Sequence, residues 1–288
     1  MGDVAEIHGP VNMTLPIDNC ELHCMDGVQT FVVRGSPILQ IVGDASTMLQ
    51  ILGAGAPTLT ISGTSTANIT IDLQTPLESP VPNITVDEGA APTIKVVHGA
   101  PNLTLLGDSK VILQILNDSA PVVSVGGSAT PSISIDTTGA FVIEYTDMAA
   151  GYAEVLASTA DGTVRTLGAS NPIVDVRNDA TPTFDLAGVS TPHVLTWNDT
   201  AASFTSRESA QPVVSSYHQS NLVLDAAVGS TLMVDAHNNS QLQVSGAVTV
   251  TADRGIAVKV VGGEGPVIIG TCLKEVIPPI SPPILIKP

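Results

Sequence analysis

Residues 37–72 read PILQIVGDASTMLQILGAGAPTLTISGTSTANITID. Within this stretch, apolar pairs spaced i, i+2 return every ten residues: Leu39/Ile41, Leu49/Ile51, Leu59/Ile61 and Ile69/Ile71. Both members of such a pair lie on one side of an extended chain, so the spacing is that of a β-strand with one buried face. A fixed internal period is the mark of a repeat architecture. The series continues outward through Ile84/Val86, Ile94/Val96, Leu103/Leu105, Leu113/Ile115, Val123/Val125 and Ile133/Ile135. It resumes at Val174/Val176 and Phe184/Leu186, weakens near Val194, Phe204 and Val214, and sharpens at Leu222/Leu224, Leu232/Val234 and Leu242/Val244.

The punctuation keeps the same phase. Proline stands two residues before the first apolar position at Pro37, Pro57, Pro82, Pro92, Pro101, Pro121, Pro131, Pro172, Pro182, Pro192 and Pro212. Its fixed φ and missing N–H suit a corner that enters a strand. Glycine or asparagine stands four residues after that position, as at Gly43, Gly53, Gly63, Gly107, Asn117, Gly127, Asn178 and Asn198. These residues tolerate positive φ and suit the corner that leaves the strand. Apolar pair, proline and glycine together predict an all-β chain: a parallel β-solenoid (β-helix) built from about ten-residue strand-plus-corner repeats. Three strands per rung would give coils of roughly thirty residues, seven or eight rungs and roughly 35 Å of axis. The competing antiparallel meander needs tight Asn-Gly or Asp-Gly hairpins, and Asp26-Gly27 and Asp161-Gly162 are the only such pairs.

The repeat divides the chain into a segment 1–30 that caps or attaches, a solenoid over 31–263, and a Pro-rich tail over 264–288. Residues 74–82 interrupt the rhythm as a loop. Residues 145–172 and 191–220 blur it, with a weak helical expectation over residues 148–158. The second blurred zone carries His193, Trp197, Phe204, Tyr217 and His218. Outward positions between the apolar pairs form a Gln/Thr/Ser series: Gln40, Gln50, Thr60, Thr70, Thr85, Thr104, Gln114, Ser124 and Ser134, with Lys95 among them. Apolar outward positions at Ile38, Val42, Met48, Leu52, Leu106, Ile112 and Leu116 mark a candidate interface. The tail residues Ile277, Pro278, Pro279, Ile280, Pro282, Pro283, Ile284, Leu285 and Ile286 form an extended apolar attachment segment that fits docking on a neighbouring chain.

Composition narrows the function. Among 288 residues, 27 are acidic and 10 basic, a formal net charge of −17. Nucleic-acid binding and adsorption to an anionic membrane both need the opposite balance. No apolar run is long enough for membrane insertion, and the N-terminus does not read as a signal peptide. Three cysteines make no disulfide framework in a chain of this length, which fits synthesis in a reducing cytoplasm.

Cys20-Glu-Leu-His-Cys24 offers three soft ligands, one short of a zinc set, and Cys272 and scattered histidines do not complete it by pattern. Asp72, Asp87, Asp136, Asp225 and Asp235 recur after apolar pairs, where stacked carboxylates could bind calcium or serve acid–base chemistry. Aspartate is equally an ordinary corner residue. The residues therefore assign no catalytic group, no metal and no cofactor.

Segments such as 130–136 (TPSISID) and 56–64 (APTLTISGT) make the chain resemble β-solenoid surface proteins of bacteriophage particles, at the level of architecture. The resemblance implies a non-enzymatic structural protein of the virion: a capsid decoration or head fibre, or a tail-tip or fibre subunit. It implies a homo-oligomer, with a trimer favoured, anchored to other virion proteins by a terminal segment and facing a host surface. The alternatives are a polysaccharide-binding or -cleaving tailspike or lyase-like β-helix, and a cell-surface adhesin.

Overall fold

The computed structural model describes residues 4–7, 11–15, 21–73, 81–156, 162–253, 256–262 and 266–271. Strands alternate between two sheets, each of 14 parallel strands. The first sheet runs from Val4–Ile7 through Glu21–Cys24, Ile38–Ile41 and Thr58–Ile61 to Ala257–Gly262; the second runs from Val11–Leu15 through Val28–Val33, Ser46–Leu52 and Thr66–Asp72 to Val267–Thr271. The described chain is thus an all-β parallel solenoid without a helix. The sheets extend past both ends of the 31–263 span read from the repeat.

Register corrects the three-strand rung. Leu39 pairs with Leu59, Leu103 with Val123 and Leu49 with Ile69, so neighbours in a sheet are twenty residues apart. Each corner reverses the chain, and the strand after next returns to the sheet it left. A rung therefore holds two strands. Fourteen strands per sheet at about 4.8 Å spacing give an axis of about 60 Å.

The decad explains itself in this geometry. In the repeat Pro37-Ile38-Leu39-Gln40-Ile41, residues 37, 39 and 41 point inward and are buried. The corner prolines are buried, and their carbonyls accept from the rung above: Thr58 N–H donates to Pro37, Asn102 to Pro82 and Val122 to Pro101. A proline has no N–H to pair downward, so at this position only its acceptor is used. At the opposite corner, Gly107 (φ 61°) and Gly127 (φ 64°) hold the left-handed backbone. They stack so closely that a Cβ on Gly127 would meet the Gly107 nitrogen at 3.0 Å.

A small buried residue closes many of the described turns, as at Ala45, Ser65, Ala90, Ser220 and Ser240. The hydroxyls there bond the turn itself: Ser220 Oγ donates to Tyr217 O at 3.0 Å, and Ser240 Oγ to His237 O at 2.9 Å. These serine hydroxyls satisfy corner carbonyls while taking little space.

The core lies between the sheets and is mostly Leu, Ile, Val and Ala; Phe31, Phe141, Phe184 and Phe204 are its large side chains, with Tyr145 beside them. Full burial of each Val, Leu or Ile side chain contributes about 1.5–3 kcal/mol. The described residues of 145–172 and the whole of 191–220 continue the two-sheet alternation, with strands Tyr152–Val155, Thr163–Thr166, His193–Thr196, Ala201–Ser206 and Val213–Ser216. The helical expectation over 148–158 fails over its described residues, 148–156, because residues 152–155 pair with strands on both sides and Gly151 takes φ 139°; residues 157–158 lie outside the described residues. Residues 74–80 of the expected loop lie outside the described residues.

Candidate binding face

Two outward columns replace the single series read from the sequence. Gln40, Thr60, Thr85, Thr104 and Ser124 align on the first sheet. Gln50, Thr70, Lys95, Gln114 and Ser134 align on the second. The candidate interface residues are spread likewise. Ile38 faces outward on the first sheet. Met48 and Ile112 face outward on the second, separated by Asn68 and Thr93. Val42 and Leu106 follow first-sheet strands at one corner, Leu52 and Leu116 close second-sheet strands near the other, and all four are half-buried. No single face carries all seven.

Further along, the second sheet changes character. One outward column reads Tyr152, Ile173, His193, Val213, Met233. Beside it runs Glu154, Asp175, Leu195, Ser215, Asp235. A third column, at the corner, holds Arg177, Trp197, Tyr217 and His237, whose N–H groups bond Val155, Val176, Thr196 and Ser216 of the rung below. Trp197 stacks on Tyr217 (centroids 4.2 Å apart, 15° between planes), and Tyr217 on His237 (5.1 Å, 14°). The parallel ladder places chemically similar side chains one rung apart, so their ring faces meet and their edges face outward.

Electrostatics concentrate here too. Asp175 is buried, and its Oδ2 accepts from Tyr152 Oη (3.2 Å) and from Arg177 Nε (3.2 Å) and Nη2 (2.6 Å). Its Oδ1 meets no protein donor among the described residues. Arg177 Nη1 lies 3.4 Å from Glu154 Oε1. The hydrogen bond to Asp175 holds the Arg177 guanidinium still more firmly protonated than usual. Burial, then the charges of Asp175 and Glu154, push the Tyr152 phenol above its ordinary range. His193 Nε2 and Ser215 Oγ are 3.2 Å apart.

Next to the aromatic column, four successive corners open a groove of about 810 Å³ lined by Asn178, Asp179, Asn198, Asp199, His218, Gln219, Asn238 and Asn239. Asn178, Asn198, His218 and Asn238 take positive φ (56°, 42°, 62° and 55°), which turns the chain and sets side chains of adjacent rungs in register. His237 is flanked by Asp235 (3.1 Å) and Asp253 (3.4 Å). The groove offers amide, carboxylate and imidazole groups at rung spacing. Its amides and imidazole can donate and accept hydrogen bonds, and its carboxylates accept them.

The 191–220 zone was legible as distinctive, but Phe204 leaves that group for the core, where it stacks on Phe184. Arg177 and His237 join it instead. The signal that would have found them is a twenty-residue spacing: Arg177, Trp197, Tyr217 and His237, and likewise Asn178-Asp179 and Asn198-Asp199.

The other sequence candidates do not converge. Cys24 faces the core and burial pushes its thiol up to about 11; His23, its neighbour in the strand, alternates to the other face. Cys20 and Cys272 lie outside the described residues. Among the described residues no group of three or more His, Cys, Asp or Glu could hold a metal. The five aspartates do not form one stack: Asp87 and Asp225 belong to the first sheet's side and Asp72, Asp136 and Asp235 to the second. Asp72 pairs with His98 at 2.8 Å, and Asp225 accepts a short bond from Ser245. The tail candidates from Ile277 to Ile286 lie outside the described residues.

No family model, curated protein or solved structure matches this chain.

Proposed function

We propose that this protein is a non-enzymatic structural component of a virus (bacteriophage) particle. In this reading it is a capsid decoration, head fibre or tail-fibre subunit, anchored by a terminal segment, that projects a rigid β-surface. The observation that carries the reading is the unbroken parallel stack of two 14-stranded sheets, a form suited to bearing load and spacing. A homotrimer is the favoured assembly, and other virion proteins are its partners. The acidic chain, with net charge −17, fits a protein that stays soluble until it meets its particle. Mass spectrometry and antibody labelling of particles purified from the producing culture test this; a protein found only outside the particles overturns it. Light scattering of the purified chain tests the trimer separately.

A second reading, a polysaccharide-binding or -cleaving spike, is favoured by one observation. The groove of Asn, Asp, Gln and His side chains runs along the rungs beside Trp197 and Tyr217. Calorimetry with host surface polysaccharides on the native chain and on Asn198→Ala/Asn238→Ala tests it. Binding to the native chain that weakens at least tenfold in the variant supports this reading, and equal affinities refute it. Release of new reducing ends would separate cleavage from binding.

A further inference from the structure

On the outer face of the second sheet, one column avoids charge. The column of Tyr152, Ile173, His193, Val213 and Met233 continues to Ser132 and Ile112 on one side and to Thr249 and Ile268 on the other. None of these nine positions carries Asp, Glu, Lys or Arg, in a chain with 27 acidic and 10 basic residues. Ile112, Tyr152, Ile173, Met233 and Ile268 leave large apolar side chains exposed. The first sheet differs over the same rungs: Glu144, Arg165 and Asp185 follow one another outward, and Arg207 Nη2 clasps Asp185 at 2.6 Å.

By chemical type, the column reads the same in both directions from His193. Ile173 on one side matches Val213 on the other, and Tyr152 matches Met233. Further out, Ser132 matches Thr249 and Ile112 matches Ile268. A twofold contact demands such self-complementarity, because residue i of one copy meets j of the other and j meets i. An axis lying between two such faces, parallel to the strands and level with His193, keeps column over column and reverses the order of rungs. It brings each matched pair together and sets His193 against its own copy. Moving the axis one rung, to Ile173 or to Val213, would set Ser132 on Val213 or Ile173 on Thr249.

We propose that two copies of this chain pack second sheet against second sheet about that axis. Each copy carries a net charge of −17, so close approach costs least where acidic side chains are missing. Nine strands at about 4.8 Å spacing, each presenting about 17 Å, give a footprint of roughly 700 Å² per copy. A standard stable interface buries about 800 Å² per partner, so the face is of the size a dimer needs. Tyr152 against Met233 is a sulfur–aromatic contact. In the next column Glu154 comes opposite Asp235, and each keeps a basic side chain beside it, Arg177 at 3.4 Å and His237 at 3.1 Å. For its role the contact rests on the structural-protein reading above: it joins copies in pairs and leaves the first sheet free for the threefold contact.

The test is disulfide trapping in full-length chain with Cys20→Ser and Cys272→Ser, which leaves only the buried Cys24. Single substitutions His193→Cys, Ile112→Cys and Ile268→Cys are oxidised under mild conditions, with Thr183→Cys on the first sheet as the control. His193→Cys is expected to give linked dimers at least tenfold faster than the control. Ile112→Cys and Ile268→Cys are expected to link to each other when mixed, and each to itself no faster than the control. His193→Cys that links no faster than Thr183→Cys overturns the contact. So does Ile112→Cys that links to itself as readily as to Ile268→Cys. Light scattering of the unmodified chain and of Ile173→Asp/Met233→Asp adds a second readout, with circular dichroism to show that the variant keeps its strands. Pairwise association that weakens at least tenfold in the variant is expected; equal association, or none in the unmodified chain, overturns the proposal. Both readouts use purified protein, so a chain that pairs in this way but is missing from particles refutes the virion reading and leaves the contact standing.

Discussion

Phe184 and Phe204 provide a direct test of the two-strand winding. They lie twenty residues apart, are fully buried, and stack with centroids 4.5 Å apart and planes 4° apart. A rung of thirty residues would not place one above the other. Replacing each by Leu removes ring area but keeps an aliphatic plug, so each single variant is expected to lose about 1–2 kcal/mol, below the ~3–5 kcal/mol of a Phe→Ala truncation. The stacked pair adds about 0.5–1.5 kcal/mol beyond burial. The double variant should therefore lose less than the sum of the singles by that amount. Val244, three rungs above Phe184 at about 14 Å by strand spacing, is the control. Phe184→Leu with Val244→Ala should be additive within about 0.5 kcal/mol. Urea unfolding is followed by circular dichroism and by fluorescence of the single tryptophan, Trp197, and is read where the two curves coincide, since long repeat arrays lose cooperativity. A cycle between 184 and 204 that closes additively would refute the stacking and with it the twenty-residue rung.

Three further outcomes follow from the same geometry. Gly246→Ala should cost about 2–4 kcal/mol in urea titrations, because its φ is 78° and a Cβ would sit 1.8 Å from Ala226 O; Gly53→Ala, with φ 67° but open space, should cost about 1 kcal/mol. Arg177→Met should destabilise by about 1–3 kcal/mol, because the buried Asp175 carboxylate keeps Tyr152 as a donor but loses its cation; equal stability of the native chain and the variant would contradict the described contacts. In a Cys20→Ser/Cys272→Ser background, Cys24 should resist thiol reagents at pH 8 until the chain unfolds. Its folded thiol keeps its proton up to about 11 while the unfolded thiol releases it near 9, so its contribution is complete below pH 9 and is lost as pH rises from 9 through 11. Midpoints that fall equally in Cys24→Ala would show that Cys24 is not the cause.

The sequence alone determined the strand, the corner and the parallel solenoid. These are local: the i, i+2 apolar pair sets a buried face, proline fixes the entry to a strand, and Gly or Asn permits the positive φ that leaves it. Leu39/Ile41 and Gly43 carry that information within five residues of chain. The number of strands per rung is not local. A ten-residue unit repeats identically whether the chain returns to its sheet after two corners or three, and only the register of Leu39 on Leu59 decides it. The candidate face depended on that choice. Arg177, Trp197, Tyr217 and His237 look scattered in the sequence and become one column once the rung is twenty residues. The same register sends Phe204 inward onto Phe184 and separates Ile38 from Met48 onto different sheets. Side-chain direction in a strand follows from one residue's parity, whereas side-chain company follows from which rung lies above, and that is a property of the folded chain.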